Sequence, residues 1–145
     1  MTPSARTLLD DSTVRAALRQ AWADSAPGET GGHEEGGFVL RDATGSIHVD
    51  RWPAGQTDGI VLPPRDGGRV GGAEIVATFH THPNTGGGYL QEPSDTDRRA
   101  VRDDPDLKGP NYVGEFVVSA HRVYLIRPDG AVEDVNETAA ILAER

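Results

Sequence analysis

Apolar residues in the N-terminal part of the chain recur at helical spacing. They are Leu8, Leu9, Val14, Ala17, Leu18, Ala21 and Trp22. This spacing predicts one amphipathic helix over residues 6–24. The polar stretch 24–32, which contains one proline and several glycines, predicts a linker. We therefore expect a single domain in which an N-terminal helix, residues 1–26, precedes a core that spans residues 27–145.

Beyond the linker, short apolar runs alternate with turn residues, as is typical of strands. The pattern predicts strands at 37–40, 47–49, 52–53, 60–64, 74–82, 114–119, 122–126 and 131–133. Proline limits those at 52–53 and 60–64 to sheet edges. Helices are predicted at 94–102 and 136–143. Helices and strands in this order favour an α+β fold, an α/β sandwich, over a helical bundle.

Composition excludes several classes of function. The 145 residues include no cysteine, so a cysteine nucleophile and any cysteine-ligated metal are excluded. The net charge is -9 and the basic residues are scattered, which argues against nucleic acid and anionic membranes as partners. The first residues lack the charged-then-apolar pattern expected of a secretory signal, and no apolar run approaches 18 residues. We expect a cytoplasmic protein, with an effector secreted without such a signal as the alternative.

Two histidines end the predicted central strand, in the run His80-Thr81-His82-Pro83. Alternate side chains of a strand leave the same face, so both imidazoles can approach one ion while Thr81 points away. Asp97, in the first turn of the next helix, is the best third ligand. Two imidazoles and one carboxylate leave a fourth position for water, which is the pattern of catalytic zinc. Bound zinc lowers the pKa of that water to roughly 7.

The zinc-bound water also needs a base, and Glu34 or Glu35 can supply it from a position among glycines that let a substrate backbone approach. Each feature has another reading. Ser94 and Asp97 match a helix N-cap with a first-turn carboxylate, and Asp95 is a competing ligand. The histidines and the glutamate pair could be solvated surface residues. Their joint occurrence in this order favours a zinc site.

Glu34, His80-Thr81-His82-Pro83 and Ser94 to Asp97 together resemble the JAMM motif of the JAB/MPN metallopeptidase superfamily, including its bacterial members. The similarity extends from about Glu34 to about Gly130. It implies an MPN/JAB-like mixed sheet flanked by helices, with zinc bound by His80, His82 and Asp97. Ser94 would stabilise the oxyanion, and Glu34 rather than Glu35 would activate zinc-bound water. It also implies a peptidase or isopeptidase that acts on a peptide, a ubiquitin-like conjugate or a small carrier protein.

One departure from the family pattern lies between His82 and Asp97, where the spacing is longer than usual. The surplus is the glycine-rich insert, residues 84–92, which either lines a substrate groove through Tyr89 and Leu90 or is a surface loop. The chain lacks the long insertions that grip ubiquitin in eukaryotic relatives. Two alternatives remain. One is a non-catalytic MPN-like interaction module, and the other is a DNA-associated branch of the superfamily, which the acidic charge disfavours.

Overall fold

The computed structural model of the chain describes residues 1–144, so only the last residue of the expected core lies outside it. Its helices are α1 (Pro3–Asp10), α2 (Ser12–Asp24), α3 (Asp95–Arg102) and α4 (Thr138–Ile141). Its strands are β1 (Gly36–Arg41), β2 (Ile47–Arg51), β3 (Arg69–Val70), β4 (Ala73–Thr81), β5 (Glu115–Val118), β6 (Arg122–Ile126) and β7 (Val132–Glu137). Within residues 1–144, no helix has the length and apolar character needed to cross a membrane.

The N-terminal helix predicted over 6–24 is two helices, so that prediction was wrong at residue 11. Asp11 has an extended backbone, with φ of -70° and ψ of 130°. Its carboxylate accepts hydrogen bonds from the backbone N–H of Thr13 and Val14, which caps α2. Apolar spacing continues through the break because both helices bury a face against the same sheet. Periodicity alone therefore could not reveal the break.

One open, mixed sheet organises the fold, and the α+β prediction is confirmed. The strand order is β2-β1-β4-β5-β6-β7, with β3 paired to the start of β4. All neighbouring strands are antiparallel except β4 and β5, which run parallel. The connection between β4 and β5 contains α3. This crossover brings the end of β4, the start of α3 and the start of β5 close together.

The strands predicted within 37–40, 47–49, 74–82, 114–119 and 122–126 are confirmed with small changes of boundary.

The edge strands predicted at 52–53 and 60–64 were wrong. Trp52 follows β2 directly and turns into the core, where its ring meets Phe38 edge to face with centroids 5.2 Å apart. Residues 60–64 belong to a loop, and the paired prolines at its end have no N–H to donate to a strand partner.

The C-terminal elements also differ from the prediction. The strand expected at 131–133 continues to Glu137, because β7 keeps pairing with β6 as far as Arg122 opposite Glu137. The helix expected over 136–143 is therefore reduced to the single turn of α4. Pairing with β6 decided the boundary that local apolar spacing could not.

Each face of the sheet carries an apolar core. On the first face, α1 and α2 contribute Ala5, Leu8, Leu9, Val14, Leu18 and Ala21 to a cluster with residues of β1, β4, β5 and β6. On the second face, α3 contributes Val101 to a cluster with Phe38, Leu40, Trp52, Ile75, Leu107, Tyr112, Val117 and Ile126. The N-terminal helices thus share a core with the sheet. The polar residues of the candidate site lie on the second face.

Replacing Asp11 with alanine tests the cap that separates the first two helices. Asp11→Ala should lower the free energy of unfolding by about 1 kcal/mol, because the N–H groups of Thr13 and Val14 lose their acceptor. Urea denaturation followed by circular dichroism measures the change. Asp11→Asn is the matched control, since asparagine caps helices about as well. Equal destabilisation by both substitutions would contradict a capping role.

Candidate metal centre

Two histidine rings meet at the end of β4. His80 and His82 are both buried, and their Nε2 atoms lie 3.1 Å apart. Thr81, between them, points to the other face of the sheet, where its hydroxyl accepts a hydrogen bond from the Glu35 N–H. The alternation expected for an extended strand therefore places both imidazoles on one side.

The other ring nitrogen of each histidine faces an acceptor. His80 Nδ1 lies 2.8 Å from the Glu115 carboxylate, and His82 Nδ1 lies 3.2 Å from the carbonyl oxygen of Gln91. Acceptors at these positions favour the tautomer that carries the proton on Nδ1. In the neutral rings, both Nε2 atoms then present lone pairs to each other. Such an arrangement requires a proton or a metal ion between them.

Asp97 brings a third acceptor to the same point. Its Oδ2 atom lies 3.1 Å from His82 Nε2 and 3.4 Å from His80 Nε2. Tetrahedral ligands at the usual zinc–nitrogen distance are about 3.3 Å apart, so the three atoms have suitable spacing for one ion. Asp97 also forms a capping box with Ser94, in which each side chain accepts from the other residue's backbone N–H. Helix capping and convergence on the histidines thus coexist.

Glu34 approaches the histidines from the segment that precedes β1. Buried Glu34, His80 and His82 lie close enough to bind a metal ion, since their possible ligand atoms are all within 4.8 Å of one another. The backbone of Glu34 is fixed by two hydrogen bonds of 2.8 Å, from its N–H to Gln56 O and from Gly55 N–H to its carbonyl. Within residues 1–144, no side chain donates a hydrogen bond to the Glu34 carboxylate. Both oxygens of that carboxylate are therefore free to accept a proton or to contact an ion.

Glu35 lies on the opposite face. Its carboxylate accepts from Arg51 at 2.7 Å and contacts His33 Nε2 at 2.5 Å. The register explains the separation, because Gly36 pairs with His80 and alternate residues share a face. Glu34 therefore falls on the side of His80, and Glu35 falls on the side of Arg51.

Asp95, the competing ligand, does not join the cluster. Its side chain is 81% exposed and is 3.6 Å from the Arg98 guanidinium on the same helix. Asp97, two residues later, turns towards the histidines because its carboxylate closes the capping box with Ser94.

Charges in the cluster compensate one another. Burial raises the pKa of the Glu34 carboxyl, although the two histidines oppose this rise. Burial would lower the pKa of His80, but the carboxylates of Glu115 and Asp97 hold it well above its ordinary value. Burial would raise the pKa of Asp97, yet hydrogen bonds from His80 and His82 keep it well below. Without a metal, a proton on the imidazoles supplies the positive charge that the carboxylates require.

Glu115 is the residue of the candidate site that the sequence patterns did not indicate. It is a buried carboxylate at the start of β5, where the apolar pattern predicts only a strand. Its signal is a lone charged residue opening the apolar run Phe116-Val117-Val118. Recognising its role required knowing that β5 lies parallel and adjacent to the histidine strand.

The buried side chain of Asn84 links separate segments of the site by hydrogen bonds. Its side-chain oxygen accepts from Gly32 N–H at 2.7 Å, and its amide donates to the carbonyls of Gly32 and Thr57. The amide thereby connects the residues after Pro83 with the segment that leads to Glu34 and with the β2–β3 loop, residues 52–68. The expected linker at 24–32 is accordingly bonded to the site through its final glycine.

A cleft of about 380 Å³ opens above the cluster. The β2–β3 loop forms one wall, and part of the glycine-rich insert forms another, so the insert lines the cleft. The lining residues are Glu34, Trp52, Thr57, Asp58, Gly59, Ile60, Leu62, His80, His82, Pro83, Asn84, Gly88, Tyr89, Leu90, Ser94, Thr96, Asp97, Ala100 and Glu115. A substrate that enters it would meet Glu34, Ser94 and the converging ligand atoms together.

Comparison of the chain with protein-family models, with curated proteins and with solved structures finds no match.

Replacing Glu115 tests whether it orients His80 as a ligand. Glu115→Ala should weaken the binding of Zn²⁺ roughly 10- to 100-fold, because His80 Nδ1–H loses the acceptor that fixes the ring. Competition with a chromophoric chelator measures the affinity. Glu115→Gln, which keeps an oxygen acceptor, should lose less. Glu29→Ala, at an exposed site, is the control, and unchanged affinity in Glu115→Ala would refute the role.

Proposed function

We propose that this protein is a zinc-dependent hydrolase of the JAMM type, a metallopeptidase or isopeptidase that cleaves a peptide or isopeptide bond. The observation that carries the proposal is the convergence of three acceptor atoms, His80 Nε2, His82 Nε2 and Asp97 Oδ2, at 3.1–3.4 Å. They meet in a cleft that a fourth group, Glu34, also lines. The resemblance of the same residues to the JAMM motif supports this assignment.

The donor set favours zinc over harder cations. Two imidazole nitrogens with one carboxylate oxygen suit Zn²⁺, whereas Mg²⁺ and Ca²⁺ prefer sites composed of oxygen ligands. The three donors would hold the ion and leave a coordination position open towards the cleft. When bound, zinc would polarise a substrate carbonyl and acidify coordinated water.

Glu34 is the proposed general base. Its carboxylate lies within 4.8 Å of the histidine ligand atoms and has no hydrogen-bond donor of its own among the described residues. Burial raises its pKa, which brings the carboxyl closer to the pH at which proton transfer is efficient. Glu34 would take a proton from the attacking water and later deliver it to the leaving amine. The hydrogen bonds to Gly55 and Gln56 hold its backbone in place for both steps.

Ser94 is the proposed donor to the oxyanion. Its Oγ atom accepts the Asp97 N–H at 3.0 Å, which uses one of its acceptor positions. A hydroxyl has one donor and two acceptor positions, so the proton remains free to point into the cleft. The capping bond therefore orients the oxygen, and the remaining proton can stabilise the negative charge that forms on the substrate carbonyl.

Amide replacement of the two adjacent glutamates tests the base. Glu34→Gln should retain bound zinc and lose activity by roughly 10²- to 10⁴-fold, the usual contribution of a positioned base. Glu35→Gln is the matched control and should retain most activity, because its carboxylate faces Arg51 and His33. Both variants are assayed on internally quenched peptides and carrier-protein conjugates, with zinc content measured in parallel.

Two results would contradict the proposal. Near-normal turnover in Glu34→Gln would refute the base. A wild-type protein that binds no stoichiometric zinc, or that loses no activity when zinc is removed with a chelator, would refute the metal-dependent reaction. A protein that binds conjugates without cleaving them would favour the interaction module.

Ser94→Ala separates the two roles of the serine. We expect kcat to fall roughly 10²- to 10³-fold through loss of the oxyanion donor. We also expect the free energy of unfolding to fall by about 1 kcal/mol through loss of the cap. Steady-state kinetics and urea denaturation measure the two effects, and Ser94→Thr should preserve both. A normal kcat in folded Ser94→Ala would leave the serine as a cap alone.

A further inference from the structure

We propose that the cleft selects an extended peptide segment that presents an apolar side chain and carries no carboxylate close to the scissile bond. The proposal rests on the proposed hydrolytic function and narrows its substrate class. It excludes the release of C-terminal amino acids and favours bonds that are internal to a chain or are isopeptide bonds.

Two walls of the cleft carry apolar side chains. Ile60 and Leu62, which are half-buried, line the wall formed by the β2–β3 loop. On the wall formed by the glycine-rich insert, Leu90 lines the cleft and is 52% exposed. Apolar side chains at two walls of one cleft indicate a surface that an apolar substrate side chain covers.

Apart from the two histidines, every charged group that lines the cleft is acidic. Its lining includes the carboxylates of Glu34, Asp58, Asp97 and Glu115, but it includes neither lysine nor arginine. A divalent ion would offset two of these four negative charges. The cleft would therefore remain negative when loaded with metal, and a wall of low polarity strengthens that field.

Asp58 is the acidic residue that belongs to the wall and not to the proposed catalytic set. It lies in the tight turn closed by the hydrogen bond from Gln56 N–H to Gly59 O, at 2.7 Å. Its side chain is exposed, and no hydrogen bond or ion pair to it is found among the described residues. Its charge is therefore unneutralised and faces an incoming substrate.

These features act against carboxylates and in favour of apolar groups. A terminal carboxylate would find no cation to anchor it, and an acidic side chain would be repelled by Asp58 and the remaining charge. Repulsion between like charges is an effective way for a binding site to reject a ligand. An aliphatic side chain would instead cover Leu90 and the apolar residues of the opposite wall.

The test uses zinc-loaded protein and three internally quenched peptides that differ at one residue beside the scissile bond, with leucine, lysine or glutamate there. We expect kcat/KM for the leucine peptide to exceed that for the glutamate peptide about tenfold or more. Added salt should reduce the difference in kcat/KM between these two peptides, because the repulsion is electrostatic. A peptide with a free carboxylate next to the scissile bond should be cut more slowly than its amide.

Substitutions at Asp58 and Leu90 test whether these two residues cause the selectivity. Asp58→Lys should reduce the ratio of kcat/KM for the leucine peptide to kcat/KM for the glutamate peptide several-fold, and Asp58→Asn should reduce that ratio less. Leu90→Ser should raise KM for the leucine peptide several-fold while leaving kcat similar. Val132→Ser, at an exposed valine on the distant strand β7, should change neither value.

The proposed selectivity is wrong if the leucine and glutamate peptides are cleaved at equal rates and Asp58→Lys does not change this. The proposed hydrolase activity would still stand. If the wild-type protein cuts neither these peptides nor the carrier-protein conjugates, the proposed function fails. Binding of the same peptides to zinc-loaded Glu34→Gln, measured by fluorescence anisotropy, then decides the selectivity separately. Preference for the leucine peptide in that assay would support it, and equal affinities would refute it.

Discussion

The convergence of three hydrogen-bond acceptors on one point is the constraint to which the rest of the site conforms. His80 Nε2, His82 Nε2 and Asp97 Oδ2 lie 3.1–3.4 Å apart in a mostly buried environment. Nδ1 of each histidine faces an oxygen acceptor, which favours a proton there, so neutral rings of that tautomer would present only lone pairs to the carboxylate. Such a cluster is stable only with a cation at its centre, whether a shared proton or a metal ion. Metal binding would therefore be coupled to loss of that proton and to the stability of the fold.

The surrounding fold contributes by fixing each acceptor from a different direction. The parallel pairing of β4 and β5 sets Glu115 beside His80, and the capping box of α3 sets Asp97 beside His82. Asn84 joins the segment that leads to Glu34 with the loop that forms one wall of the cleft. Buried polar groups that are hydrogen-bonded in this way limit the freedom of His80, Asp97 and Asn84 to rearrange.

The charge of the cleft restricts what a substrate could offer to it. Glu34, Asp58, Asp97 and Glu115 line the cleft, whereas neither lysine nor arginine does. In the proposed hydrolase, substrate recognition would therefore depend on apolar contact and on the backbone, because no basic side chain is present to bind an anionic group. Leu90, which lines the cleft and is 52% exposed, would supply such a contact.

Local patterns in the sequence determined much of the fold and part of the site. The alternation of a strand is sufficient to place His80 and His82 on one face. The spacing of Ser94 and Asp97 is sufficient to form a capping box, because both depend on residues within four positions of one another. The central strand, the β5–β6 hairpin and α3 could be predicted for the same reason. These features are local, so the sequence contains their geometry.

The tertiary structure decided what depends on pairing between distant segments. The register of β1 against β4 placed Glu34 beside the histidines and Glu35 beside Arg51. The adjacency of β5 to β4 turned Glu115 from an ordinary strand residue into the partner of His80. Pairing of β7 with β6 makes the last helix shorter than predicted. Because α1 and α2 pack on one face of the sheet, apolar spacing continues across the break between them and does not reveal it. Sequence periodicity reports which way a side chain points within its own element, whereas only the folded chain fixes which other element it meets.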